Sequence, residues 1–525
     1  MLLCDIEAAS TQIRLCAEYK DLCRFLWVKD TNDLCNKSNV IEYRFKRLPF
    51  GVTASPSILN MAILAYLSTQ NTSLADEIAK NLYVDNILIM TETEKDALQK
   101  YKESKQLFAN IGMNLREYVT NSHQVNAGIP EIDRTPTGEI KILGVPYNTD
   151  TDRFTIRTSF PRRKILTKRD IISQINSIYD PLGFASPLLV KLKGIMREAY
   201  DTKMDWKETL PAELTKRWNG ICDEVNNAII SIPRRPDPRN LGELECESPV
   251  LWVFGDASQQ AIATCAYLQY CTTNWVSNLI CGKTKLTPKE HPQTIPRLEL
   301  LSTLISLRFA LTIQKSMTSL VKKVNIVSDS EIALHWLKSS RTLPVFVTNQ
   351  KDRIVKIKSQ IEAQNVPVTL LHVTSDYNPA DCGTRGLTAS KINSSSWIQG
   401  PQWLRNKNDK WPLKSMGNIE ENLSKDVPHG NGKTIIAPVI SETQPSEERN
   451  EIMDLTRFSK LGRALRTIAR VAKLLQRWVR QTNEHRHTDI RLMVINNFTT
   501  DPEITAEEIA ASEVIILWGR LSATT

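Results

Sequence analysis

Four acidic residues in the middle of the chain are the strongest candidates for chemistry. They are Asp256 in the run VFGDAS, Glu299 in PRLELLS, Asp329 in VSDSE and Asp381 in NPADCGTRG. Gathered carboxylates repel each other unless divalent cations neutralise them, and Mg²⁺ prefers such hard oxygen ligands. Two ions held roughly 4 Å apart activate a water and stabilise the leaving oxygen of a phosphodiester. The four acids therefore predict hydrolytic cleavage of a nucleic-acid strand, leaving a 3′-hydroxyl.

Each of these acids taken alone has a plainer interpretation. An aspartate at the end of a strand commonly caps the next helix or forms a turn. The order of strand Asp, helix Glu, strand Asp and helix-N-terminal Asp is more specific than any one member. The combined pattern favours the metal site.

Two further aspartates near the N-terminus form a second candidate pair. Asp5 follows the short apolar run Leu2–Cys4, and Asp85 lies at the polar tip of a predicted hairpin, Leu82–Met90. A strand end and a hairpin tip can share two Mg²⁺ ions with an incoming nucleotide. For Asp85 and Asn86 alone, a simple hairpin turn is the alternative.

Composition argues against several other classes of protein. The ten cysteines include no CxxC pair, and His485 and His487 are the only close histidine pair, so we expect reduced thiols and no zinc site. The chain lacks the DTG or DSG triplet of an aspartic peptidase. It also lacks a signal-peptide pattern and any apolar run of about 18 residues, so we expect an intracellular protein of the cytoplasm or nucleus, without a membrane partner. The net charge of +9 mildly favours a polyanionic partner.

The elements around the four acids predict a mixed sheet with helices packed on it. Strands are expected at Val250–Gly255, Ile262–Gln269, Trp275–Cys281, Val324–Ser328 and Val368–Val373. Helices are expected at Pro296–Ser319, Glu331–Lys338 and Asn349–Ile361, with a short one starting at Asn378-Pro379, where Asn378 can act as the cap. If the first and fourth strands are parallel neighbours, Asp256 and Asp329 emerge at the same edge of the sheet.

Several runs in the chain resemble one family. VFGDAS, TIPRLELLS, SDSEIALHWL and NPADCGTRG resemble the ribonuclease H domain of BEL/Pao-type LTR retrotransposon polyproteins. LLCDIEAASTQIRL, RLPFGVTASPSILN and NLYVDNILIM resemble the palm of a reverse transcriptase of the same group. The resemblance implies Mg²⁺ or Mn²⁺ at the six acids above, and the RNA strand of an RNA–DNA hybrid as the substrate. It also implies nucleic-acid contacts at Gly51 and Arg385, although Arg385 could instead pair with Asp381 one helical turn earlier.

The polymerase part departs from the family pattern in three ways. Asn86 stands where the family usually has a second hairpin aspartate, Ser10 stands near the usual position of an aromatic residue, and the chain begins at the first palm motif. We therefore expect a retroelement-derived protein that cleaves RNA in RNA–DNA hybrids and has a truncated, impaired RNA-directed DNA polymerase. The alternative is a catalytically dead nucleic-acid-binding remnant or a host-adopted scaffold.

The expected architecture is an α/β and α+β multidomain protein. Its predicted segments are a truncated palm at 1–121, a helical thumb or connection region at 122–245, a ribonuclease H-like domain with a five-stranded mixed sheet at 246–412, a linker at 413–450 and a helical pre-integrase segment at 451–525. Lys141–Pro146 is predicted as one strand and Ser231–Asn240 as a linker. Leu455–Arg480 predicts a basic amphipathic helix with Leu461, Leu465, Ile468, Ala472 and Leu475 on one face, surrounded by residues that include Arg463, Arg466, Arg470, Lys473, Arg477 and Arg480. Packing of the apolar face is favoured over binding to nucleic acid or an acidic membrane.

Overall fold

The computed structural model describes residues 1–32, 38–236, 249–270, 275–289, 293–317, 321–406, 411–415, 461–486, 498–499, 501 and 503–521. The chain divides into two compact units, Met1–Asp426 and Val427–Thr525. None of the helices in the described part has the length and apolarity needed to cross a bilayer.

The first part of the larger unit is a four-stranded sheet covered by helices. In chain order its elements are β1 (Leu2–Ile6), α1 (Ala9–Gln12), β2 (Arg24–Val28), β3 (Val40–Arg44), α2 (Ser55–Leu67), α3 (Ser73–Asn81), β4 (Leu82–Tyr83), β5 (Asn86–Ile89), α4 (Glu94–Ala109), β6 (Leu115–Thr120) and α5 (His123–Gly128). The sheet has the order β4-β5-β1-β6, and β2 and β3 form a separate hairpin. Because β1 lies between two neighbours, its apolar residues are buried against α2 and α4, with Leu2, Leu59 and Phe108 fully enclosed.

The second part contains a sheet that the prediction of a helical region lacked. Its elements are β7 (Glu139–Ile142), β8 (Val145–Asn148), β9 (Arg153–Arg157), α6 (Lys168–Asn176), α7 (Ser186–Asp201), α8 (Ala212–Val225) and β10 (Ile229–Pro233), and the strands are ordered β10-β9-β8-β7. The single strand predicted at Lys141–Pro146 is wrong, because Leu143 and Gly144 both have positive φ and form a tight hairpin turn. The linker predicted at Ser231–Asn240 is also wrong at its start, since Ser231 pairs with Thr155 in the sheet.

The third part is the predicted mixed sheet. Its elements are β11 (Val250–Ala257), β12 (Ala261–Tyr270), β13 (Val276–Leu286), α9 (Ile295–Ser316), β14 (Lys323–Ser328), α10 (Glu331–Lys338), α11 (Val345–Glu362), β15 (Val368–His372), α12 (Asp381–Arg385), α13 (Ser396–Gln399) and β16 (Lys414–Ser415). The order is β13-β12-β11-β14-β15-β16, with β11, β14 and β15 parallel. The five predicted strands are present, and the two-residue β16 adds a sixth at the edge.

The two faces of this sheet are covered by different parts of the chain. One face packs against α9 and α11, where Leu251, Leu304 and Ile354 are buried. The opposite face shares a single apolar core with α6, α7 and α8, in which Trp252 and Trp218 are both buried. The region predicted as a connection segment therefore helps to cover this face of the sheet, together with downstream residues that include Trp397 and Trp403.

Close backbone contacts join these two parts. The N–H of Gly282 donates to the carbonyl of Leu182 at 2.8 Å, and the indole of Trp397 donates to the carbonyl of Phe184 at 3.0 Å. Gly183 has a φ of 75°, and a Cβ at this position would lie 1.9 Å from the carbonyl oxygen of Gly282. Only glycine fits here, because both the conformation and the space exclude a side chain.

The described part of the smaller unit has two helices, α14 (Leu461–Arg486) and α15 (Ala506–Leu521). Side chains of α14 pack against Phe498 and Ala511, which agrees with the predicted packing of an apolar face. The predicted face is partly wrong, because Leu475 is 38% exposed whereas Val479 is buried. The side chain of Leu461 and most of the linker predicted at 413–450 lie outside the described residues.

Candidate functional site

The two strand aspartates lie side by side at one edge of the mixed sheet. Strands β11 and β14 are parallel neighbours with Gly255 opposite Ser328, so Asp256 and Asp329 occupy equivalent positions at the next step of each strand. Asp256 is buried, and burial raises its pKa to about 7, with further contributions from the negative charges of Asp329 and Asp381. This coupling places three of the predicted acids within electrostatic reach of each other.

Glu299 completes the group from helix α9. Burial raises its pKa, the side chain of Ser330 lowers it by hydrogen bonding, and the charge of Asp329 raises it. Asp381 enters from the first turn of α12, and its pKa is raised mainly by burial, against the lowering effect of Arg385. The structure therefore brings all four predicted acids together around Asp329.

Hydroxyl groups hold the two strand aspartates. Ser375 donates to Oδ2 of Asp329 at 2.7 Å. Thr384 donates to Oδ2 of Asp256, and the backbone N–H of Ala257 also donates to the Asp256 carboxylate. The other oxygen of Asp329, Oδ1, is buried and has no hydrogen-bond partner. Burying such an atom is unfavourable unless something else binds it.

The donor set fits a hard divalent cation. Four carboxylates supply only oxygen ligands, and the unpartnered Oδ1 of Asp329 is available among them. Within the described ranges, no three acidic, histidine or cysteine side chains lie close enough together, as they stand, to hold a metal ion.

Asn378 is not the helix cap that its position predicts. Helix α12 begins at Asp381, and the capping position is Ala380, without a side-chain cap. Buried Asn378 instead accepts the N–H of Ala380 at 3.1 Å and donates its amide to the carbonyl of Gly255 at 3.1 Å. It thereby joins the segment carrying Asp381 to the strand carrying Asp256.

Arg385 pairs with Asp381, which is the plainer of its two predicted roles. Nε of Arg385 lies 2.8 Å from Oδ1 of Asp381, one helical turn earlier, while the arginine side chain is 73% exposed. An exposed pair of this kind contributes little stability. The predicted phosphate contact of Arg385 stays a prediction.

The second candidate pair lies at the centre of the first sheet. Asp5 on β1 is opposite Asn86 on β5, and the N–H of Ile6 donates to the carbonyl of Asp85 at 2.9 Å. Burial raises the pKa of Asp5 to about 6, and the next contribution comes from the charge of Asp85. The structure therefore brings Asp5 and Asp85 together.

Asn86 is engaged with its neighbour at the tip of this hairpin. Its amide Nδ2 donates to Oδ1 of Asp85 at 2.8 Å. The preceding turn residue, Val84, has a φ of 60°, which is costly for a β-branched side chain.

Gly51 lies in an exposed turn before α2, with a φ of 84°, and its predicted contact with nucleic acid stays a prediction.

Sequence reasoning found the acids but missed the groups that hold them. Ser375, Asn378 and Thr384 were not predicted to touch Asp256, its strand or Asp329, because serine, threonine and asparagine are common in turns. The one available signal was the spacing of Thr384, three residues after Asp381, which places both on one side of a helical turn.

Two protein families match successive parts of the larger unit. Residues 1–146 match the reverse transcriptase (RNA-dependent DNA polymerase) family, and residues 167–330 match the Pao retrotransposon-like RNaseH-like domain. The second match includes Asp256, Glu299 and Asp329 and ends before Asp381. No curated protein matches the chain.

One solved structure with a similar chain is the foamy viral protease-reverse transcriptase dRH in complex with double-stranded DNA. It is 13% identical, with a TM-score of 0.42 over 70% of this chain. This chain covers 56% of the length of that one. The two family matches show that the chain joins a reverse transcriptase segment to a Pao retrotransposon-like RNase H-like segment, as its resemblance to BEL/Pao-type polyproteins predicted.

Proposed function

We propose that this retroelement-derived protein cleaves the RNA strand of RNA–DNA hybrids in a Mg²⁺-dependent, endonucleolytic reaction. The observation that carries the proposal is the grouping of Asp256, Glu299, Asp329 and Asp381 at one sheet edge, with an unpartnered, buried carboxylate oxygen on Asp329. When bound, the cations supply an activated water and stabilise the charge on the leaving oxygen.

The residues of the chain have distinct roles in this proposal. Asp256 lies on β11 and Asp329 directly follows β14, the two central parallel strands of the sheet, and they would hold the cations in common. Glu299 and Asp381 approach from two helices and complete the oxygen ligands. Arg385 orients Asp381 through their ion pair.

A labelled RNA–DNA hybrid tests the proposal. We expect Mg²⁺-dependent internal cleavage of the RNA strand by the full chain, and none with a chelator. Asp329→Asn should lower the rate by about 100-fold or more, because it removes a charge at the centre of the group. Asp352→Asn, on the exposed surface of α11, is the matched control and should cleave like the wild type.

The competing function is nucleic-acid binding without catalysis. It predicts that the wild type retains the hybrid in a binding assay yet leaves the RNA intact at every Mg²⁺ or Mn²⁺ concentration. That combination would overturn the nuclease proposal. Cleavage by wild type and Asp329→Asn at equal rates would overturn the assigned residues.

We further propose that DNA synthesis is impaired. Asn86 lacks the charge of a second hairpin aspartate, and its amide donates a hydrogen bond to Asp85. The tip of this hairpin therefore carries one carboxylate where the family usually has two. A primer-extension assay should give no detectable dNTP incorporation. Incorporation that rises in Asn86→Asp would support this explanation, whereas efficient incorporation by the wild type would contradict it.

A further inference from the structure

Two hydroxyl groups from one short segment contact the two strand aspartates. Ser375 precedes α12 and donates to Asp329, while Thr384 lies within α12 and donates to Asp256. The segment between them carries Asp381, the fourth acid. One stretch of ten residues, 375–384, thus contacts two of the four carboxylates and carries a third.

The segment is itself fixed to the sheet. Asn378, which is buried, bonds to the carbonyl of Gly255, immediately before Asp256. Gly383 is packed tightly, because a Cβ there would lie 2.6 Å from the Cβ of Ala263 on the neighbouring strand. The two hydroxyls are therefore held in place by groups other than the acids that they contact.

A hydroxyl is suited to orient a carboxylate that must bind a cation. It donates one hydrogen bond and adds no charge, so the full negative charge remains available, whereas a lysine or arginine would neutralise it. At Asp329 the hydroxyl occupies Oδ2 and leaves Oδ1 without a partner. The Thr384 oxygen also lies 3.1 Å from the carbonyl of Asp381, but the carboxylate of Asp256, when ionised, is the stronger acceptor for its single proton.

We propose that Ser375 and Thr384 are positioning residues, which orient the carboxylates of Asp329 and Asp256 for divalent cations without neutralising them. The proposal rests on the proposed nuclease function of the same acids. It predicts a defect in cation binding itself, before any substrate is present. Groups that hydrogen-bond to metal ligands typically change metal affinity by about 10- to 100-fold when removed.

The test is a Mn²⁺ titration followed by calorimetry or electron paramagnetic resonance, without nucleic acid. An Asp5→Asn, Asp85→Asn background removes the other candidate site. Thr384→Val, which keeps the shape of the side chain, and Ser375→Ala should each weaken Mn²⁺ binding by about 10-fold or more. Thr384→Ser restores the hydroxyl and should restore the affinity.

Thr388→Val is the matched control, because the Thr388 hydroxyl contacts Ser390 and no acid of the group. It should bind Mn²⁺ like the background protein. Thermal unfolding without metal should be similar for Thr384→Val and Thr384→Ser. If the valine variant loses affinity and the serine variant does not recover it, the hydroxyl is not the cause and the proposal is overturned.

Other outcomes separate this proposal from the nuclease function. Unchanged Mn²⁺ affinity in both Thr384→Val and Ser375→Ala, with normal hybrid cleavage, overturns positioning alone. If the background protein binds Mn²⁺ and the variants bind it more weakly as expected, positioning is supported. If no hybrid is cleaved in the same experiment, the nuclease function is overturned. Absence of Mn²⁺ binding in the background protein overturns the positioning proposal.

Discussion

At the scale of single residues, the four acids show what can be predicted and what cannot. Their identity and order along the chain predicted a common site, and the structure brings them together around Asp329. The contacts of Ser375 and Thr384 could not be predicted, since they arise only when the segment after β15 folds back over β11 and β14. An acid next to a buried apolar run is unusual and therefore stands out in a sequence, whereas a serine or threonine there is not.

Replacing Asp256 by asparagine should stabilise the protein in the absence of divalent cations. The folded pKa of about 7 lies above the ordinary value of 3.8, so the folded state binds this proton more tightly than the unfolded state. Stability therefore falls as pH rises from about 4 through about 7, and asparagine removes this loss. The gain should reach at most about 4 kcal/mol above pH 7, at about 1.4 kcal/mol per pKa unit.

Thermal unfolding with a chelator, between about pH 4 and pH 8, measures this effect. The stability difference between Asp256→Asn and wild type should be small at the acid end and should grow with pH. Asp352→Asn, an exposed aspartate on α11, should show no such growth. A difference that stays constant across the range would contradict the assignment of the raised pKa to Asp256.

At the scale of elements, helix α14 shows why an amphipathic pattern alone is not enough. The pattern predicted Leu475 on the buried face and Lys473 on the basic face, but Leu475 is 38% exposed and Lys473 is buried. The reason is the partner helix. Glu508 of α15 is buried and accepts a hydrogen bond from Lys473, and this contact places Lys473 on the buried face of α14. The run Thr505-Ala-Glu-Glu508 was a visible capping-box signal for α15, although its lysine partner could not be predicted.

Lys473→Met should destabilise the pairing of α14 and α15. Glu508 would remain buried with its N–H donors from Thr499 and Thr505 but without a cation, and removing one partner of a buried pair typically costs about 3–5 kcal/mol. Hydrogen exchange should show faster exchange of the α14 amides. Arg470→Met, at an exposed position on the same helix, is the control and should leave exchange unchanged.

The pair should also fail at low pH. Burial opposes ionisation of Glu508, but hydrogen bonds from Lys473 and from the backbone of Thr499 and Thr505 lower its pKa to about 2. A lowered folded pKa means that the stabilisation is present above the ordinary value of 4.5 and is lost as pH falls toward about 2. Glu508→Gln should remove this acid sensitivity of the α14 amides, and persistence of the sensitivity would exclude Glu508 as its source.

At the scale of the whole larger unit, sequence predicted the order of parts but not how they share a core. The strands and helices from 250 to 373 were all predicted, because their apolar runs are long and well separated, although β13 ends five residues later and α11 begins four residues earlier than predicted. The shared core of Trp218 and Trp252 was not predictable, since the residues that form it lie on either side of a predicted boundary at 245. The boundaries at 121, 245 and 412 stay predictions.

Gly183→Ala should destabilise this shared core. Alanine at a φ of 75° costs about 1–2 kcal/mol, and its Cβ would overlap the carbonyl of Gly282, which adds a similar amount. Gly194→Ala is a matched control within α7, because a Cβ there meets no other atom within 4 Å. It should be neutral or slightly stabilising. Chemical unfolding followed by tryptophan fluorescence compares the two, and equal stabilities would contradict the close packing at Gly183.

The joint core has a consequence for a chain that is cut. Strand β10 ends at Pro233 and β11 starts at Val250, and the residues of the shared core lie on both sides of a nick placed between them. The pieces on the two sides of such a nick should stay associated, and they should reassemble when expressed as separate polypeptides. Fragment complementation would then restore the packing on the mixed sheet, whereas the downstream piece alone would expose Trp397, whose indole donates to Phe184 in the upstream piece, and would aggregate.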